Sequence, residues 1–266
     1  MPYRELKPLE PANAAFDNFL TVLEEKINNP NLDRNEVVRD TLYEIYFGER
    51  SDIAGQNFSN YPLATQAVIA SFDPRNITLE PEYYTDIDPD LYYPRKPLIW
   101  LWQMFDRSPL GANLYLSFKF RKMLAPYIFR KVGANFRCFH FVEWSFGYNL
   151  VIGDNVTVHR YVLLDDRGEI IIGNDVSISD YVNVYSHSHS ITDINDVTCK
   201  PTVIGDRVRL TYHSTILAGT NVGKDGMVGA MALATRDIRP FHVNVGIPAK
   251  SVRVKPNAPE LAHEGK

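Results

Sequence analysis

The feature that most constrains the fold of this chain is a six-residue repeat in its second half. Aliphatic residues, with one closing alanine, recur at steps of six within three blocks: Ile152, Val158, Leu164; Ile172, Ile178, Val184; and Ile204, Leu210, Ile216, Val222, Val228, Ala234. Small or β-branched residues usually follow four positions later: Val156, Val176, Val182, Val208, Ser214, Thr220 and Ala232.

This spacing predicts a coil of short strands with a triangular cross-section. Side chains at the two repeated positions can point into one interior if the chain turns a corner once per unit. Three units then make one triangular turn, and stacked turns bury a continuous ladder of aliphatic side chains. An ordinary antiparallel β-domain would show alternation without the six-residue phase.

The first half of the chain has a helical pattern. Apolar residues at helical spacing predict a helix over 34–47, with Asp33 as its N-cap and Gly48 where it ends. A second helix is expected within 12–28. The segment 73–97 has too many prolines for a helix, and we expect an extended strap there.

Composition limits the classes of function. The chain has 266 residues, a formal net charge of −4 and a pI near 6.0, whereas a nucleic-acid-binding domain is normally basic, so nucleic acid is not an expected partner. Cys138 and Cys199 are too few and too far apart for a disulfide framework, and the N-terminus lacks the order of a signal peptide. We therefore expect a cytoplasmic protein with three parts: a helical region over 1–131, a β-helix over 132–255 and a tail over 256–266.

The segment 107–131 combines basic and apolar residues. No acidic residue stands between Arg107 and Val142. Six apolar residues form a stripe at helical spacing: Leu116, Phe120, Met123, Leu124, Tyr127 and Ile128. Two interpretations stay open: an amphipathic helix that touches a membrane surface, or a helix that caps the first turn of the β-helix.

The repeat is interrupted by two extra residues between Leu164 and Ile172 and by a long excursion between Val184 and Ile204. The excursion begins directly after His189, in "YVNVYSHSHSITD". A loop on a rigid scaffold is a common place for binding and catalytic residues.

A closing segment, "GIPAKSVRV", completes the pattern. With it and the repeats, residues 130–254 resemble the hexapeptide-repeat acyltransferases, in particular the galactoside, maltose, nodulation-factor and colanic-acid acetyltransferases. The resemblance implies a mainly β fold, a left-handed parallel β-helix, here preceded by the α-helical region. It also implies CoA-dependent O-acyl transfer, most simply from acetyl-CoA, to a saccharide or a nucleotide- or lipid-linked sugar, without a metal. The resemblance also implies a homotrimer with a catalytic groove between each pair of neighbouring subunits. One subunit supplies the general base, and the next supplies the surface that binds CoA.

The resemblance also assigns roles to residues. An alcohol is a weak nucleophile until a base removes its proton, and histidine suits that task. The family's histidine matches His189, which we predict to be the general base. His187 is a candidate to contact substrate or orient the loop, and Asp166, in "LLDD", matches an aspartate that binds the sugar. The alternatives are solvent-facing loop histidines and a solvated turn aspartate.

The CoA-binding positions follow from the same match. The residues that correspond to CoA contacts are Tyr212, Gly219, Gly229, Ala230, Thr235, Arg236, Lys250 and Arg253. The chain departs from the family pattern at Arg209, Thr211 and Met231. These departures leave the length of the acyl group open, and transfer to an amino-sugar nitrogen is not excluded by the sequence.

Two other classes of function share this fold. A zinc-dependent carbonic anhydrase needs three histidines around one metal. Four histidines are candidates: His159, His187, His189 and His213. The spacing that resembles that family, with two of the three separated by four residues, is absent. The third class is a non-catalytic scaffold or binding module, against which the intact His189, Lys250 and Arg253 argue.

Overall fold

The computed structural model describes residues 4–48 and 60–259, and the chain divides into two compact units, Met1–Leu124 and Ala125–Lys266. The helices are α1 (Glu10–Asn28), α2 (Arg34–Phe47), α3 (Leu63–Ala70), α4 (Pro89–Tyr92), α5 (Lys96–Arg107) and α6 (Leu114–Ile128), with 3-10 turns at Pro74–Asn76 and Glu80–Tyr83. Helix α2 confirms the prediction for 34–47. The Asp33 side chain accepts from the backbone N–H of Asn35, and Gly48 ends the helix with a left-handed φ of 72°.

The segment 73–97 is not the extended strap that its prolines suggested. It contains both 3-10 turns, α4 and the start of α5, and each of these elements has a proline at its first or second position. A proline costs no hydrogen bond there, because the N–H it lacks has no partner inside the helix. The Asp73 and Asp88 side chains accept hydrogen bonds from backbone N–H groups of the turns that follow them. The prolines therefore start short helical turns.

The first unit has a charged pair at its centre. Arg121 is fully buried, its Nε donates to Oδ1 of Asp106 at 2.9 Å, and Nη2 donates to the carbonyl of Gly111 at 2.9 Å. Phe105 and Phe120 stack beside this pair, with ring centroids 3.7 Å apart. Arg121 is thus not part of an exposed basic surface.

The apolar stripe of α6 is largely covered. Leu116, Phe120, Leu124 and Ile128 are at most 1% exposed, so this part of the stripe is not a free surface for lipid. Phe129, the next residue, packs edge to face on Phe136 and Trp144 of the first coil. Within residues 4–48 and 60–259, no helix is long and apolar enough to cross a membrane.

The second unit is a coil of short parallel strands in three sheets. Sheet A consists of β1 (Lys131–Val132), β4 (Leu150–Ile152), β7 (Ile170–Ile172), β12 (Thr202–Ile204) and β15 (Asn221–Val222). Sheet B consists of β2 (Arg137–Cys138), β5 (Thr157–Val158), β8 (Ser177–Ile178), β13 (Arg209–Leu210), β16 (Met227–Val228), β18 (His242–Val245) and the antiparallel β19 (Lys250–Val254). Sheet C consists of β3 (Glu143–Trp144), β6 (Leu163–Asp165), β9 (Asn183–Tyr185), β14 (Thr215–Ile216) and β17 (Leu233–Ala234).

The strand pairing confirms the predicted coil. The chain runs from sheet A to B to C and back, and Val203 pairs with Asn221, 18 residues later, which is three six-residue units. All twelve repeat residues, from Ile152 to Ala234, are at most 1% exposed. Earlier coils are longer, because Ile170 pairs with Leu150 and with Thr202. The additional residues leave the coil at the corner where the chain passes from sheet C to sheet A, which we call the CA corner. The corner where the chain passes from sheet B to sheet C is called the BC corner.

Candidate active site

The long excursion from the repeat is a β-hairpin at the CA corner. Strand β10 (His187–His189) pairs antiparallel with β11 (Val197–Cys199), so that His187 lies opposite Cys199 and His189 opposite Val197. His189 is exposed, and His187 is half-buried. The sequence analysis predicted a loop that begins after His189, and the structure shows that both histidines lie on the first strand of this hairpin.

The hydrogen bond of His189 decides which of its nitrogens can act as a base. Its Nδ1 lies 2.8 Å from the carbonyl oxygen of Ile194, in the turn of the hairpin. A carbonyl oxygen only accepts, so Nδ1 carries the hydrogen and donates it. In the neutral ring Nε2 then holds the lone pair, so this nitrogen is the one that can take a proton.

His187 lies beside a carboxylate that the sequence analysis did not single out. Its Nδ1 lies 2.8 Å from Oδ2 of Asp165, a close ionic contact that lacks the geometry of a hydrogen bond, and Oδ1 of Asp165 accepts from the hydroxyl of Ser145 at 2.9 Å. The rings of His187 and His189 meet edge to face, with centroids 5.3 Å apart. The structure therefore brings the two predicted histidines together and adds Asp165. The only sequence signal for Asp165 is its place in the "LLDD" segment.

Asp166 does not face a substrate, which corrects its predicted role. Its side chain is fully buried, and its carboxylate accepts from the backbone N–H groups of Phe146 at 2.7 Å and Asn149 at 3.2 Å. Burial raises the pKa of Asp166 to about 7, although these N–H groups act in the opposite direction. Asp166 thus ties its own coil to the corner of the preceding one.

Three of the predicted CoA residues lie together at the BC corner. Tyr212 is half exposed, and its backbone carbonyl accepts from the N–H of Met231, next to the exposed Ala230. Gly229 is buried, and a Cβ there would lie 2.6 Å from Cγ1 of Val245. Its lack of a side chain lets β18 pack closely. Its place in the CoA groove stays a prediction.

The other predicted CoA residues lie elsewhere. Gly219, Thr235 and Arg236 are exposed and follow strands of sheet C, so they belong to the CA corner. Lys250 and Arg253 are exposed on β19, which ends sheet B. The predicted CoA residues of one chain thus lie at two corners of the coil and on β19.

Two histidines outside the hairpin, His159 and His213, are part of aromatic stacks. The ring of His159 stacks on Phe139 with centroids 4.6 Å apart, and that of His213 stacks on Tyr181 at 4.7 Å. Burial lowers the pKa of His159. In the part of the chain that the structure describes, no three or more His, Cys, Asp or Glu side chains form a group that could hold a metal ion.

Comparison with known proteins finds similar acetyltransferases. The galactoside O-acetyltransferase of Escherichia coli K12 is 29% identical over 137 residues, which are 50% of this chain and 68% of that protein. A maltose O-acetyltransferase structure from Clostridium difficile 630 matches with a TM-score of 0.56 and 25% identity, over 67% of this chain and 98% of that one. A galactoside acetyltransferase in complex with coenzyme A matches with a TM-score of 0.57 and 25% identity, over 64% and 85% of the two chains.

The match covers part of each protein. The chain spans 58%, 68% and 63% of the length of the first three curated relatives, and no protein-family model matches it. In sequence and in its left-handed parallel β-helix, this chain is similar to the hexapeptide-repeat acetyltransferases, as the resemblance of its repeats and closing segment implies.

Proposed function

We propose that this protein is a CoA-dependent O-acyltransferase that moves an acetyl group to a hydroxyl of a saccharide or of a nucleotide- or lipid-linked sugar. The observation that carries the proposal is the state of His189: its Nδ1 donates to Ile194, which leaves Nε2 free to accept a proton. The similar proteins support the reaction class, since they are named galactoside and maltose O-acetyltransferases, and one was solved with coenzyme A.

The proposed reaction is a direct transfer. Nε2 of His189 removes the proton of the acceptor hydroxyl while its oxygen attacks the carbonyl carbon of the thioester. The C–S bond then breaks, the thiolate of CoA leaves, and the imidazolium of His189 returns the proton to that sulfur. The negative charge on the carbonyl oxygen in between requires a hydrogen-bond donor near the groove.

We further propose that the active site forms between copies in a homotrimer. His189 stands at the CA corner, whereas Tyr212 and Ala230 of the same chain stand at the BC corner. A groove between the β-helices of two neighbouring copies would combine the general base of one copy with the CoA-binding surface of the next. Lys250 and Arg253 would bind the phosphates of CoA, because cations pair strongly with phosphate oxygens.

The test follows free thiol release from acetyl-CoA against a panel of sugars and nucleotide sugars. We expect acceptor-dependent release by the wild type and a decrease by a factor of about 10² to 10⁴ in His189→Ala, which is the usual contribution of a general base. The control is calorimetric binding of CoA, which this substitution should leave unchanged. Acceptor-dependent release at the wild-type rate in His189→Ala would overturn the assignment.

A further inference from the structure

A chain of contacts ties the hairpin of His189 to two coils of the β-helix. Ser145, which follows β3 in the first coil, donates to Oδ1 of Asp165 at the end of β6 in the second. Oδ2 of Asp165 lies 2.8 Å from Nδ1 of His187, the first residue of β10. The two side chains of the latter pair are only 8% and 13% exposed, so solvent competes little for this contact.

The hairpin depends on contacts of this kind. Its two strands have three residues each, and an isolated two-stranded hairpin is at best marginally stable. His187 begins the strand that carries His189, and the two rings touch edge to face with centroids 5.3 Å apart. A change in the position of His187 therefore moves both the backbone and one ring neighbour of His189.

We propose that Asp165 is a positioning residue for the transfer: together with Ser145 it fixes His187, and His187 determines where Nε2 of His189 stands. This inference rests on the proposed function, with His189 as the base. Asp165 itself does not touch the substrate in this account. A misplacement of about 1 Å in a catalytic group can cost a factor of about 10² in rate, which sets the size of the expected effect.

The kinetic test is a double-mutant cycle of Asp165→Asn and His187→Ala in the full chain. We expect Asp165→Asn to lower kcat by a factor of about 10 to 100 and to leave the KM for acetyl-CoA unchanged. Because Asp165 acts only through His187, it should have no further effect on kcat in the His187→Ala background. The matched control is Asp154→Asn, which changes an exposed carboxylate that accepts from the N–H of Ala134. Independent effects of the two substitutions on kcat would overturn the proposal.

A second readout does not require turnover. Hydrogen exchange of the backbone amides in 187–199, followed by mass spectrometry, should be faster in Asp165→Asn than in the wild type and unchanged in Asp154→Asn. Exchange in Asp165→Asn at the wild-type rate would contradict the tie between coil and hairpin even if no acceptor is found. Absence of transfer by the wild type, together with faster exchange in this variant, would refute the proposed function and leave the structural tie standing.

Discussion

At the scale of single residues, two adjacent carboxylates have opposite surroundings. Asp165 faces the hairpin and contacts His187, whereas Asp166 points into the protein and accepts from the backbone of the preceding coil. Successive side chains of a strand point to opposite sides, which accounts for the difference. The pair therefore provides two different functions from one dipeptide.

The buried carboxyl of Asp166 should make stability depend on pH. Its pKa rises from 3.8 to about 7 on folding, so the folded chain binds more protons than the unfolded chain between these values. The stabilisation from the protonated form is complete below pH ~4 and is lost as the pH rises through about 7. When the pH rises from 5 to 8, the free energy of unfolding of the wild type should fall by on the order of 2 kcal/mol more than that of Asp166→Asn.

Urea unfolding of both proteins at the two pH values measures this difference. The substitution also places an amide N–H₂ among backbone donors, and that cost should be the same at both pH values because asparagine does not titrate. A wild-type advantage of equal size at pH 5 and pH 8 would contradict the raised pKa.

The sequence predicted some of these residues and missed others. The position of His189 at a break in the six-residue register is visible in the sequence, and its role as the base stays a prediction. Asp165 could not be separated from Asp166, because the choice depends on which side chain faces outward where β6 ends. The close packing of Gly229 on Val245 could not be predicted either, because it depends on how β18 folds back onto β16.

At the scale of the elements, the repeat determines the coil. Every aliphatic of the repeat is buried, and the residues four positions later, from Val156 to Ala232, are at most 3% exposed. The helix 34–47 could also be predicted, since Asp33 and Gly48 mark its ends. The segment 73–97 was misjudged, because proline both ends helices and starts them, and composition alone does not separate the two uses.

The ladder predicts a large effect for one substitution and a small one for its neighbour. Ile178 is fully buried in β8, an internal strand of sheet B, and Ile178→Ala should lower the free energy of unfolding by about 2 to 5 kcal/mol through lost burial and the cavity left behind. Ser177 precedes it, is only half-buried and points to the other side, so Ser177→Ala should change stability by less than about 1 kcal/mol. The urea midpoint measures both, and equal losses would contradict the predicted interior.

At the scale of the whole molecule, every candidate site residue lies in the unit Ala125–Lys266. The galactoside O-acetyltransferase aligns over 50% of the chain. The chain has a net charge of −4, yet its proposed donor is a polyanion. Binding of CoA must therefore depend on local positive charge.

Lys250 and Arg253 are the residues that we expect to supply that charge. Each lies exposed on β19, and loss of a charge-assisted hydrogen bond costs about 1.5 to 3 kcal/mol. Lys250→Ala and Arg253→Ala should each raise the KM for acetyl-CoA by a factor of about 10 to 100 and change kcat little, and the effect should weaken at high salt. The control is Lys224→Ala, which removes an exposed lysine outside β19. A KM unchanged in both variants would place the phosphates elsewhere.

The most direct test of the central claim is mass spectrometry of acceptor sugars after incubation with isotope-labelled acetyl-CoA, for the wild type and His189→Ala. The account predicts that the wild type transfers the label to a sugar as an ester that mild alkali removes, and that the variant does not. Label in an alkali-stable amide would contradict transfer to oxygen. Wild-type protein that neither binds CoA nor labels any sugar would contradict the acyltransferase assignment itself.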